Sequence, residues 1–192
     1  MGLVVALPAP AATLLVIGDS LSDAYNMPRE AGWTELLSER LGPGHTVINA
    51  SISGETASGA VRRIDDLLES YAPEVLLVIL GGNDGLRGLN PGQLESNLAE
   101  LIEAGRDAGS EVLLMQIRMP PNLGPTYVER FEAVYPRLAD RYDIRLVPFF
   151  LDGIFDQPGM LMPDRIHPTE AAQPKMLEAL WPYLEVVLDE IE

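Results

Sequence analysis

The chain has 192 residues, 47% of them hydrophobic, and a formal net charge of −16, which bounds it to one domain with enough apolar material for a sizeable core. The acidic balance and the lack of any basic run exclude nucleic-acid binding, which needs clustered Lys and Arg. With no cysteine, disulfides, thiolate metal sites and a Cys nucleophile are excluded as well.

Residues 1–12 run from the apolar Leu3-Val4-Val5-Ala6-Leu7 into Ala9-Pro10-Ala11-Ala12. That is the pattern of an export-signal tail with an A-x-A-like cleavage site, without the basic start. It predicts a signal remnant or N-terminal extension ahead of a single domain over 13–192. It also predicts a periplasmic or secreted location, with the cytoplasm as the alternative. No other stretch approaches the roughly 18 apolar residues of a membrane span, so no stable membrane insertion is expected.

Residues 13–17 are short, continuous and apolar, the signature of a buried strand. Directly after them comes Gly18-Asp19-Ser20-Leu21-Ser22, which puts Ser20 at a strand-to-helix turn. A serine there serves equally as an N-cap or as a nucleophile whose own N–H points at a developing oxyanion. Trp33, Leu36, Leu37 and Leu41 recur at helical spacing, and Gly42-Pro43-Gly44 stops that helix. His45 follows in the turn and reads as a solvated loop residue. Residues 46–50 form a second strand, followed by Ser53-Gly54, where a glycine N–H is open to an incoming carbonyl. Val61, Ile64, Leu67 and Leu68 make a helical stripe.

Residues 74–80 are apolar on both faces and belong in the middle of a parallel sheet. Gly81-Gly82-Asn83 follows, offering the Asn83 amide as a donor. Leu94, Leu98, Leu101 and Ile102 mark a helix ending near Gly105 to Gly109, and residues 111–117 a fourth strand ahead of Arg118-Met119-Pro120. Tyr127, Phe131, Val134, Tyr135 and Leu138 give one more stripe, and residues 145–149 a short fifth strand. Asp164-Arg165-Ile166-His167-Pro168 precedes a closing helix over 169–188, which Pro182 is expected to kink or divide.

Strand–helix alternation with short links predicts a three-layer α/β/α sandwich around a parallel five-stranded sheet. Ligands of such sheets bind beyond the carboxyl ends of the strands. Ser20, Gly54, Asn83 and Arg118-Met119-Pro120 all follow strands and should meet at one edge. Of the chain's two histidines, only His167 has a carboxylate at a spacing that fixes its tautomer, Asp164 three residues earlier. Nucleophilic acyl transfer needs a hydroxyl, a base and an acid that orients it, and Ser20, His167 and Asp164 supply them. Walker-type and G-x-G-x-x-G loops are absent, as is the G-x-S-x-G elbow.

With these residues in place, the chain resembles the SGNH (GDSL-type) hydrolases. The matching blocks are Gly18-Asp19-Ser20-Leu21-Ser22, Ser53-Gly54-Glu55-Thr56, Gly81-Gly82-Asn83-Asp84 and Asp164-Arg165-Ile166-His167-Pro168. Further runs, Asn49-Ala50-Ser51-Ile52 and Leu114-Met115-Gln116-Ile117-Arg118, are similar to the bacterial multifunctional thioesterase I/lysophospholipase/arylesterase branch. The resemblance implies a flavodoxin-like sheet ordered 2-1-3-4-5, hydrolysis of small-molecule esters or thioesters, and no cofactor or metal. It implies Ser20 as nucleophile, His167 as base, Asp164 as its partner, and an oxyanion hole from the Ser20 and Gly54 N–H groups and the Asn83 amide. The segments 84–90 and 119–126 are expected to border an acyl pocket, with Asp84, Leu86, Ile117, Met119 and Pro120 against the substrate.

Arg165 stands where that branch usually has a small residue and is expected to face solvent. The acidic surface favours uncharged esters of short or medium acyl chains, or aryl esters, over polyanionic thioesters. Long-acyl thioesterase or lysophospholipase activity is the alternative, ahead of a carbohydrate acetylesterase or a binding module without activity. Nothing in the patterning assigns an oligomeric state.

Overall fold

A computed structural model describes residues 12–191; the segment 1–11, with the expected signal remnant, lies outside them. Strand β1 (Thr13–Gly18) is followed by α1 (Trp33–Leu41), β2 (Thr46–Asn49), α2 (Ala57–Val61), α3 (Ile64–Tyr71) and β3 (Val75–Ile79). The chain continues through α4 (Gly82–Leu86), α5 (Pro91–Asp107), β4 (Glu111–Met115), α6 (Pro125–Glu132), α7 (Val134–Tyr142), β5 (Arg145–Val147) and α8 (Gln173–Ile191). The strands form one parallel sheet in the order β2-β1-β3-β4-β5. This is the flavodoxin-like order, whose ligand edge lies at the carboxyl ends beside β1 and β3.

The central strands are apolar because helices cover both faces. Every residue of β3 is buried, and Leu15, Val16, Ile17, Leu113 and Leu114 have no exposed surface. The last residue of the expected strand 74–80 and the last two of 111–117 fall outside the sheet, and Ile117 lies on the second of these segments.

Three expectations are corrected. The helical stripe over 61–68 divides between α2 and α3, and that over 127–138 divides at Ala133 between α6 and α7. Periodicity survives such breaks because both pieces face the same core. Residues 82–86, where the spacing predicts no helix, form α4; a glycine-rich turn gives no apolar period to read. Pro182 does not divide α8. Met176, Leu177, Leu180, Leu184, Val187 and Leu188 are buried along that helix, and this packing outweighs the roughly 3 kcal/mol that an internal proline costs. Among the described residues, no helix is long and apolar enough to cross a membrane.

Candidate active site

Ser20 follows β1 in a run of turns over 20–26 and does not open a helix; α1 begins only at Trp33. One helical turn forms, with the N–H of Asp23 bonded to the Asp19 carbonyl at 3.1 Å. The N-cap reading of Ser20 therefore has no helix to serve. The turn is fixed from several sides. Trp33, fully buried, donates its indole N–H to the Leu21 carbonyl at 3.1 Å. Asn49, at the end of β2, donates to the Ser22 carbonyl at 2.7 Å. The Asp23 carboxylate accepts the N–H and hydroxyl of Ser53 at 2.9 and 2.7 Å, which ties the segment carrying Gly54 to the segment carrying Ser20.

Asp164 and His167 lie on a narrow loop closed at its base by the Leu161–Pro168 bridge. The Met162 N–H donates to the His167 carbonyl at 2.8 Å. The Asp164 carboxylate accepts the N–H groups of Ile166 and His167, both at 3.0 Å, and approaches His167 Nδ1 at 2.7 Å. The other ring nitrogen, Nε2, stands 2.9 Å from Ser20 Oγ. The three side chains are thus joined in one hydrogen-bonded chain, although 147 positions separate Ser20 from His167. Burial pushes the Asp164 carboxyl up, but the hydrogen bonds from His167 and the Ile166 N–H outweigh it and hold the group at about 2. It stays ionised wherever the imidazole needs a partner.

Among the described residues, no acceptor is bonded to the backbone N–H of Ser20 or Gly54. Gly54 has a φ of 82°, a backbone that glycine adopts without strain. The Asn83 amide donates to the buried Asp19 carboxylate at 3.1 Å, and this bond orients it. Asp19 also accepts the Leu21 N–H at 3.1 Å. Burial pushes the Asp19 carboxyl up to about 6, against the hydrogen bonds from Leu21 and Asn83.

A cavity of about 520 Å³ opens beside Ser20, Asn83 and His167, within the usual range for small-molecule sites. Leu86, Ile117, Met119 and Pro120 line it. Asp84, expected against the substrate, does not. It is buried, with its carboxylate turned inward to accept the Ala57 N–H at 3.0 Å, and burial raises its pKa. Gly54 also lies outside the cavity wall. Arg165 is exposed, as expected, but it also borders the cavity. His45 is only half-exposed and accepts the Ala12 N–H at 3.3 Å, so it is bonded to the chain and not simply solvated. Among the described residues, no three His, Asp or Glu side chains gather as metal ligands would.

Tyr25 had no sequence signal. Its ring stacks on His167 with centroids 4.1 Å apart and planes at 28°. Its neighbours Ala24 and Asn26 both have positive φ, 51° and 54°. The turn that projects this ring is therefore held in a conformation that local preference disfavours.

A doubly wound sheet whose carboxyl edge joins a hydroxyl, an imidazole and a carboxylate beside free N–H donors belongs to the class of acyl-transferring serine hydrolases. Residues 16–173 match the model of the GDSL-like lipase/acylhydrolase family. The chain is 47% identical over 183 residues to esterase TesA of Pseudomonas aeruginosa, covering 94% of this chain and 91% of that protein. It is 45% identical over 166 residues to thioesterase 1/protease 1/lysophospholipase L1 of Escherichia coli, covering 86% and 80%. Among solved structures, the psychrotrophic esterase EstA of Pseudoalteromonas sp., inhibited by monoethylphosphonate, superposes with a TM-score of 0.88 at 36% identity, covering 93% of this chain and 99% of that one. The chain belongs to the GDSL-like lipase/acylhydrolase family.

Proposed function

We propose that the protein is a carboxylic ester hydrolase working through an acyl-enzyme on Ser20. The observation that carries this is the unbroken contact from Ser20 Oγ to His167 Nε2 at 2.9 Å and from His167 Nδ1 to Asp164 at 2.7 Å. Ser20 attacks the ester carbonyl while His167 takes its proton. Asp164 fixes the tautomer and stabilises the imidazolium without being protonated itself. The N–H groups of Ser20 and Gly54 and the Asn83 amide hold the oxyanion, where one such donor is worth about 2.7–4 kcal/mol. His167 returns its proton to the leaving oxygen, the acyl–enzyme forms, and water repeats the sequence to release the acid.

Leu86, Ile117, Met119 and Pro120 give the acyl chain an apolar wall, which supports short or medium acyl esters and aryl esters as substrates. The second reading, a long-acyl thioesterase or lysophospholipase, is favoured by the likeness to the Escherichia coli protein of that name. A periplasmic or secreted location rests on the apolar and small residues of segment 1–12.

Hydrolysis of 4-nitrophenyl esters from acetate to palmitate, by wild type and Ser20→Ala, tests both readings. A Ser20-dependent rate that peaks at short chains is expected. A peak at palmitate moves the assignment to the second reading, and full activity in Ser20→Ala overturns the mechanism.

A further inference from the structure

Arg165, between Asp164 and His167, has a φ of 59°, the left-handed region that disfavours a non-glycine residue. Its N–H bonds to the Met162 carbonyl at 2.9 Å, which closes the turn in that conformation. Glycine would adopt it freely, so the loop holds a long cation where the backbone favours no side chain at all. Outliers of this kind concentrate at functional sites.

Arg165 borders the same cavity as Ser20 and His167. Arg118, also on the cavity, is bound to Asp152 at 3.1 Å. Among the described residues, no carboxylate pairs with Arg165. Asp164, its chain neighbour, is lowered by His167 and by the N–H groups of Ile166 and His167, with no contribution from Arg165. The guanidinium is therefore available to a ligand.

Arg165 shares its loop with His167, which returns the proton to the departing oxygen. The leaving portion of the ester thus departs on the side of Arg165. A planar guanidinium binds phosphate oxygens through paired donors. The chain's −16 charge repels anions at long range, so a phosphate-bearing substrate needs an unpaired local cation.

We propose that Arg165 is a specificity-determining residue that binds a phosphate on the leaving portion of the substrate, close to the scissile bond. This rests on the reading of Ser20 and His167 given above. Nearness to His167 favours a phosphoglycerol, whose phosphate lies a few bonds from the ester oxygen. A coenzyme A thioester carries its phosphates at the far end of a long arm.

The test compares kcat/KM for 1-butyrylglycerol 3-phosphate against 1-butyrylglycerol, and for butyryl-coenzyme A against S-butyryl-pantetheine. The proteins are wild type, Arg165→Gly and Arg165→Lys. Arg165→Gly relieves the left-handed backbone, so its effect does not come from misfolding. It is expected to lower the phosphorylated-to-unphosphorylated ratio of the glycerol pair about tenfold, the worth of one charge-assisted hydrogen bond. Arg165→Lys should recover part of that ratio. A change confined to the coenzyme A pair overturns the phosphoglycerol assignment, and unchanged ratios in both pairs overturn the proposal. Wild type inert towards all four substrates and the 4-nitrophenyl esters would instead overturn the esterase reading itself.

Discussion

Asp19 is the buried carboxylate next to the candidate nucleophile, and its energetic cost is measurable. Its folded pKa, about 6, lies above the ordinary 3.8 because burial disfavours the charge. Between those values the folded state binds more protons than the unfolded chain. This group's contribution to stability therefore falls as pH rises through that window, and is lowest above it. Asp19→Asn keeps the shape without the charge. Its stability relative to wild type should rise by about 1–3 kcal/mol from pH 4 to pH 8, as Asp19 ionises in wild type. Urea unfolding across that range checks this, and a gap independent of pH would show that the carboxylate carries no such cost. Tyr25 makes a separate case. Its face against His167 (centroids 4.1 Å apart) holds the imidazole in place. A stack of this kind is worth about 0.5–1.5 kcal/mol, so Tyr25→Ala should lower kcat several-fold while Tyr25→Phe stays near wild type. Equal losses in both variants would assign the effect to the hydroxyl instead of the ring.

At the scale of elements, α4 depends on the residue before it. Gly81 has a φ of 120°, and a Cβ there would collide with the Tyr135 hydroxyl, which donates to the Leu80 carbonyl at 3.0 Å. Gly81→Ala should cost about 2–4 kcal/mol through strain and overlap together. Tyr135→Phe in the same chain should return the part due to overlap, and denaturant unfolding of the single and double variants separates the two contributions. Because α4 carries Asn83, activity should fall with stability. Sequence periodicity located α1 and α5 because each presents one unbroken apolar face to the sheet. It missed α4, whose glycines leave no such face, and it merged α6 with α7, whose break at Ala133 leaves the buried stripe continuous. The turn over 20–26 was expected to lead straight into a helix. Its hydrogen bonds go instead to Trp33, Asn49 and Ser53, partners remote in the chain.

For the whole molecule, 13 basic side chains face 29 acidic ones, and the resulting self-repulsion opposes the compact state. Adding salt shortens the Debye length from about 30 Å at 0.01 M to under 8 Å above 0.15 M. The midpoint of thermal unfolding should therefore rise by a few degrees over that range, as scanning calorimetry would register. A flat response would mean that the excess acidic charge is solvated well enough for its repulsion not to oppose folding. The sequence by itself determined the layers and the parallel sheet, and it singled out Ser20, Asp164 and His167, which the fold joins by hydrogen bonds. Continuous apolar runs must be covered on both faces, and nucleophilic acyl transfer tolerates few residue types at a strand end. The tertiary structure alone decided that Asp84 turns into the core, that Tyr25 covers the imidazole and that Arg165 is left unpaired at the cavity. Each depends on what a side chain meets across the fold, and spacing along the chain carries no record of that.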